Sequence, residues 1–117
     1  MALAPAVRYR TPVTAFIDLH GASGAVYRFR QAPPLGPLPA AAGNFVYVAA
    51  RAQAGRIVCC GTTTNLATSA KAWADAAKQE GGVHLYVRLN VASRARAIEH
   101  DDLVAALHPP LIATDPG

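Results

Sequence analysis

The chain has 117 residues, of which 52% are hydrophobic and only 15% charged. That size holds one hydrophobic core and not two, and the composition excludes a disordered, self-repelling chain. The net charge of +4 and pI near 9.5 come from nine arginines and two lysines against seven acids. Such a balance suits a polyanionic partner and equally suits simple solubility. No stretch is long and apolar enough to cross a bilayer. Met1-Ala2-Leu3-Ala4-Pro5 also lacks the basic start and apolar run of an export signal, so a cytoplasmic location is expected. Cys59 and Cys60 are adjacent, so on a strand they point to opposite faces and cannot work as a Cys-x-x-Cys pair. They read as reduced, small, buried residues.

Residues 1–11, with Pro5, Arg8 and Arg10, read as a loose arm. Val13 to Asp18 is a strand candidate, His20-Gly21-Ala22-Ser23-Gly24 a turn, and Ala25 to Arg30 a second strand. In that strand Val26, Arg28 and Arg30 share one side, with Tyr27 and Phe29 on the other. Five prolines and glycines between Gln31 and Ala42 predict a linking loop. Asn44 to Ala50 is strongly β-prone, Gln53-Ala54-Gly55 a turn, and Arg56 to Cys60 the return strand of an antiparallel hairpin.

The stretch Arg56 to Leu66 ends its apolar run at Gly61, crosses the hydroxyl-rich Thr62-Thr63-Thr64 and opens into a helix. Strand ends and helix starts present free N–H groups, so this junction suits an anion such as a phosphate. A helical wheel from Leu66 groups Ala70, Trp73, Ala74 and Ala77, with Thr64 or Asn65 as N-cap and Gly81-Gly82 as stop. Val83 to Leu89 is a strand. Ser93 is a candidate N-cap for a second helix running to Leu107, ended by Pro109-Pro110, and Leu111 to Gly117 is a turn-rich tail. The order predicts a small α+β domain with a mostly antiparallel sheet and two main helices.

The second helix carries an anomaly. Ala95, Ile98, Leu103, Ala106 and Leu107 form its apolar face, and Glu99 falls inside that arc. Either the carboxylate opens into a cleft, or it sits at the edge of the face and pairs with an arginine, because an unpaired buried charge is strongly disfavoured. A phosphate-loop enzyme is excluded, since Gly61 has no second glycine and no lysine before a hydroxyl residue. Gly21-Ala22-Ser23-Gly24 is spaced wrongly for a serine nucleophile elbow. His20, His84, His100 and His108 scatter over different elements, and Glu99-His100-Asp101-Asp102 reads as a solvated charge run in which only Glu99 and Asp102 could share an ion.

From Ala42 to Leu111 the order of elements and several residues together resemble the GIY-YIG nuclease superfamily. The first motif would be Gly43-Asn44-Phe45 and the second Cys59-Cys60-Gly61, followed by Thr63 and Asn65-Leu66; Ala95 to Val104 with Pro109-Pro110 looks like the glutamate helix and its exit. The resemblance implies an N-terminal extension over residues 1–41 and a nuclease-like core over 42–117. It also implies a DNA-cutting site in which Glu99 holds a divalent metal. Phe45, Cys59 and Ser69 stand where relatives carry two tyrosines and an arginine, and Ile112 where they often carry asparagine. Phenylalanine has no hydroxyl and serine no guanidinium, so those positions are degenerate. Lys71 is turned to the solvent face of its helix, and Arg51 and Arg56 flank the hairpin turn at the opposite end of the strands, so none of them replaces these groups. Gly61 and Thr63, with Arg28 and Arg30 of the extra hairpin, are the candidate phosphate-binding residues, and Glu99 alone can hold a hydrated Mg²⁺. Two functions follow. One is a non-catalytic or weakly catalytic module binding nucleic acid or a protein partner; the other is an active, divergent Mg²⁺-dependent endonuclease using Glu99.

Overall fold

The computed structural model describes residues 16–32, 37–50, 55–70 and 82–114. Six strands, β1 (Phe16–His20), β2 (Val26–Gln31), β3 (Gly43–Ala49), β4 (Ile57–Thr63), β5 (Val83–Leu89) and β6 (Leu111–Thr114), form one mixed sheet in the order β1-β2-β5-β3-β4-β6. Among the described residues two helices accompany it, α1 (Leu66–Ser69) and α2 (Ser93–Leu107). The predicted arm, the start of the first strand at Val13, Gln53-Ala54 of the hairpin turn and the first helix from Lys71 onward lie outside the described residues. The class is α+β, as the alternation of periods predicts. No helix among the described residues is long and apolar enough to cross a membrane.

β3 sits between β4 and β5, antiparallel to both, and every one of its residues is buried. Because strand side chains alternate, β3 sends Asn44, Val46 and Val48 to one side and Phe45 and Tyr47 to the other. The first side meets α2, where Val46, Val48 and Cys60 pack with Tyr27, Phe29 and Leu103. On the second side Phe45, Tyr47 and Cys59 pack with Leu66, Ala70, Val87 and Leu38. The Tyr47 hydroxyl donates to the Ala70 carbonyl, fastening the chain after α1 to this side. The two cysteines thus point to opposite faces, free and buried. β2 alternates as its sequence predicts, with Tyr27 and Phe29 buried and Val26, Arg28 and Arg30 outward.

Four expectations are corrected. β4 does not stop at Gly61 but continues to Thr63, because Gly43, Asn44 and Phe45 pair with Thr63, Thr62 and Gly61. Gly61 lies under the Phe45 ring: a Cβ there would sit 2.2 Å from Phe45 Cζ. The supposed turn-rich tail forms β6, parallel to β4 from Cys59↔Leu111 to Thr62↔Thr114. Four residues show too little alternation to separate a strand from a turn. α2 is capped at Ala92 without a side-chain bond, so Ser93 begins the helix and does not cap it. Finally, Ile98 is 55% exposed, whereas His100 and Leu103 are the buried residues of α2.

That rotation of α2 follows from its anchor on the β1–β2 turn. The Asp102 carboxylate accepts hydrogen bonds from the Ser23 N–H (2.8 Å), the Ser23 hydroxyl (2.6 Å) and the Tyr27 hydroxyl (2.7 Å), and the Ala22 N–H donates to the Asp102 carbonyl (3.1 Å). A Cβ at Gly21 would lie 2.0 Å from Asp102 Oδ2, so glycine is what lets turn and helix close. Asp102 is therefore a structural anchor and not part of a solvated charge run.

Gly61→Ala is expected to destabilise the domain by about 1–3 kcal/mol through overpacking against the Phe45 ring. Thermal unfolding should show this as a lowered Tm, and Phe45→Leu in the same chain should recover part of the loss. A Gly61→Ala protein that melts with the wild type would refute the packing argument.

Candidate functional site

Arg88 of β5 stands opposite Asn44 of β3, and both face α2. Glu99, on the inner side of that helix, meets them. Arg88 Nε donates to Glu99 Oε1 at 2.9 Å, and Asn90 Nδ2 donates to the same oxygen at 2.9 Å. Asn90 Nδ2 also donates to Asn44 Oδ1 (2.9 Å), while Asn44 Nδ2 donates to the Arg96 carbonyl (3.1 Å). Arg96 Nη1 closes the circuit on the carbonyls of Asn90 (3.1 Å) and Val91 (2.9 Å). The Arg88 guanidinium lies 5.5 Å over the Tyr27 ring, and its Nη1 donates to the Arg28 carbonyl at 3.4 Å.

This network decides between the two readings of Glu99. The carboxylate does not stand alone in an apolar cleft; it pairs with an arginine, both side chains being mostly buried at 31% and 19% exposure. The sequence places Asn44 in the Gly43-Asn44-Phe45 motif but does not point to Arg88 or Asn90 as its partners. The signal lay in Arg88 itself, since an arginine on the helix-facing side of a strand needs a carboxylate across from it.

The sheet separates the residues that the resemblance would gather in one cleft. Phe45 follows Asn44 in β3 and so faces away from Glu99, its ring against Gly61 and edge-on to Tyr47 at 5.9 Å. Cys59 lies on the Phe45 side, and burial pushes its thiol up to about 11 and that of Cys60 to about 12, so both are neutral and poor nucleophiles. Ser69 ends α1, whose Leu66 packs on the same Phe45 side. Glu99 is alone on the α2 side.

The strand-to-helix junction uses its donors internally. Thr63 is buried, and its hydroxyl accepts from the Asn65 N–H (3.0 Å) and donates to the Asn65 carbonyl (3.2 Å). Asn65 is the N-cap, accepting from the Ala67 N–H (3.0 Å), and the Leu66 N–H donates to the Ala41 carbonyl (2.9 Å). Gly61 and Thr63 are thus parts of the fold's interior, with no donor turned outward.

Arg28 and Arg30 lie on the sheet side opposite α2. Arg28 holds Asp18 in a two-pronged pair, Nε to Oδ1 at 2.9 Å and Nη2 to Oδ2 at 3.1 Å, and its guanidinium lies 5.6 Å over the Phe16 ring. A hollow of about 300 Å³ opens beside them, lined by Phe16, Arg28, Arg30, Val87, Arg88 and Leu89.

Among the described residues no three His, Cys, Asp or Glu side chains gather. The groups around Glu99 Oε1 are a guanidinium and an amide N–H, which repel a cation, and Asp102 is held by Ser23 and Tyr27. This donor set does not fit a resident Mg²⁺. The chain was compared with protein-family models, with curated proteins and with solved structures, and matches none of them.

The ion pair and the buried histidine give two expectations. Arg88→Met leaves the Glu99 carboxylate with Asn90 alone, and Glu99→Gln combined with it should return part of the lost stability. Urea unfolding of the double-mutant cycle is expected to give a coupling of about 0.5–3 kcal/mol, and a coupling of zero would make the pair incidental.

Burial pushes the His100 imidazole below its ordinary value, against a smaller opposing pull from Asp101. Protonation therefore favours the unfolded chain, and stability present above about pH 6.5 declines as the pH falls from there toward the folded value. Asp102, held below the usual carboxylate range by Ser23 and Tyr27, acts lower: its contribution is present above about pH 4 and is lost on further acidification. Melting curves from pH 8 to pH 3 should show both declines, and His100→Phe should flatten only the upper one.

Proposed function

We propose that the domain is a nuclease-like module, similar in its order of elements to the GIY-YIG superfamily, that binds nucleic acid without cutting it. What supports the likeness is the run from the β3–β4 hairpin through α1 and β5 to the glutamate-bearing α2. The non-cutting reading rests on one observation: Glu99 Oε1 accepts both Arg88 and Asn90, so the carboxylate's charge is already countered by a guanidinium. Phosphodiester hydrolysis also needs an aligned nucleophile and donors for the developing phosphate charge, each worth orders of magnitude in rate. Phe45 cannot supply a hydroxyl, Cys59 holds its proton, and the nearest guanidinium, Arg88, is spent on the carboxylate. Binding needs less, and the basic charge of the chain supplies the long-range attraction.

Incubation with single-stranded, duplex and branched DNA in Mg²⁺ or Mn²⁺ should give no cleavage beyond that of Glu99→Ala. Titration of DNA at several salt concentrations should show binding that weakens as salt rises. Cleavage by the wild type that Glu99→Ala abolishes would overturn the non-catalytic reading in favour of a divergent endonuclease. Absence of binding at low salt would leave a protein-interaction module.

A further inference from the structure

Resting on the nucleic-acid reading above, we propose that the side of β1, β2 and β5 turned away from α2 is the binding surface, and that its ligand is an unpaired nucleic-acid strand. The register gathers the residues. Phe16 stands opposite Arg30, Asp18 opposite Arg28, and Arg30 opposite Val87. Directly opposed residues project to the same side of a sheet, so Phe16, Arg28, Arg30 and Val87 share one surface, joined by Leu89 two residues on. Farther along the sheet the same side is filled by the Phe45 cluster, but over β1 and β2 the described residues leave it open. Phe16 is 54% exposed and Leu89 57%, large apolar groups that a folded chain gains nothing by leaving in water.

The chemistry of this surface is that of a strand-binding platform. An exposed ring offers a stacking face to a base, and stacking tolerates any base because each has a π-face. The Arg28 guanidinium, paired two-pronged with Asp18, lies over the Phe16 ring at 5.6 Å, and a guanidinium plane is itself a stacking face for a base. Arg30 has no acidic partner among the described residues, so it is available to a phosphate. The hollow of about 300 Å³ between Phe16, Arg30 and Leu89 supplies depth next to the ring.

A duplex offers no such match. Its base faces are hidden in the stack, and a broad sheet face does not enter a groove, whereas splayed bases of a single strand present the faces that Phe16 needs. The sequence upstream of Phe16 adds charge of the same sign: residues 1–17 contain Arg8-Tyr9-Arg10 and no acid, Asp18 being the first. An acidic peptide would satisfy the arginines but would leave the Phe16 ring without a partner.

The test is fluorescence anisotropy of the full chain with a labelled single-stranded oligodeoxynucleotide of mixed sequence, beside the duplex of the same sequence, at low and moderate salt. Single strand should bind more tightly than duplex. Phe16→Ala should weaken it about 5- to 150-fold, the loss of one stacked base, while Phe16→Tyr binds like the wild type. Arg30→Gln should weaken binding and reduce the salt slope by about 0.7, the share of one phosphate contact on a single strand. Arg94→Gln, an exposed arginine on α2, should change nothing. If Phe16→Ala does not fold by circular dichroism, Arg30→Gln decides. Duplex bound as tightly as single strand, or the Phe16 and Arg30 variants binding like the wild type, would overturn this surface and leave nucleic-acid binding standing. No binding to either DNA at low salt would overturn both.

Discussion

The structure depends on β3, a strand hydrogen-bonded on both edges and buried along its whole length. A strand in that position must be covered on two faces, since each alternate side chain would otherwise stand in water. Val46 and Val48 require α2 on one side, and Phe45 and Tyr47 require Leu66, Ala70 and Leu38 on the other. The remaining strands are added outward from this centre, so β1 and β6 become the edges of the sheet. The cover thins toward β1, which is why the Phe16 and Arg30 side reaches solvent.

The polar groups between α2 and the sheet follow from the same constraint. A helix laid across the strands brings Glu99 over Arg88 and Asn44, and a carboxylate in that position has to be compensated. Asn90 and Asn44 take up the remaining donors and acceptors, and Arg96 ties the loop before the helix to its own first turns. At the far part of the helix Asp102 is gripped by the β1–β2 turn. Two acidic residues three apart thus perform the same task, docking one helix against two different partners. The charge that first suggests metal chemistry is used for architecture.

The faces of the sheet differ in what they leave exposed. The α2 face is closed by its own ion pair, and the Phe45 face is closed by apolar packing around two neutral thiols. Among the described residues the arginine-bearing side of the β1–β2 hairpin stays open, with Phe16 and Leu89 exposed on it. The two sides make different physical demands, because binding requires only complementary groups at the boundary whereas hydrolysis requires several groups converging on one atom.

Much of this was legible in the residues alone. The alternation of Tyr27 and Phe29 against Arg28 and Arg30, the β-prone run through β3, the strand Val83–Leu89 and the opposed cysteines are all local patterns of period two, and local sterics express them wherever the strand is placed. Helix starts were legible to within a residue, with Asn65 capping α1 as its side chain allows. The extension of β4 through Gly61, the strand β6 and the rotation of α2 were not, because each is decided by a partner distant in sequence: the Phe45 ring, the edge of β4, and the Gly21–Ser23 turn. The same holds for Glu99. Its presence on an inward helix face is a property of the sequence, but whether an inward carboxylate meets a metal, water or an arginine depends on which strand lies beneath it. Only the tertiary structure, by placing Arg88 and Asn90 there, decided that the charge is neutralised.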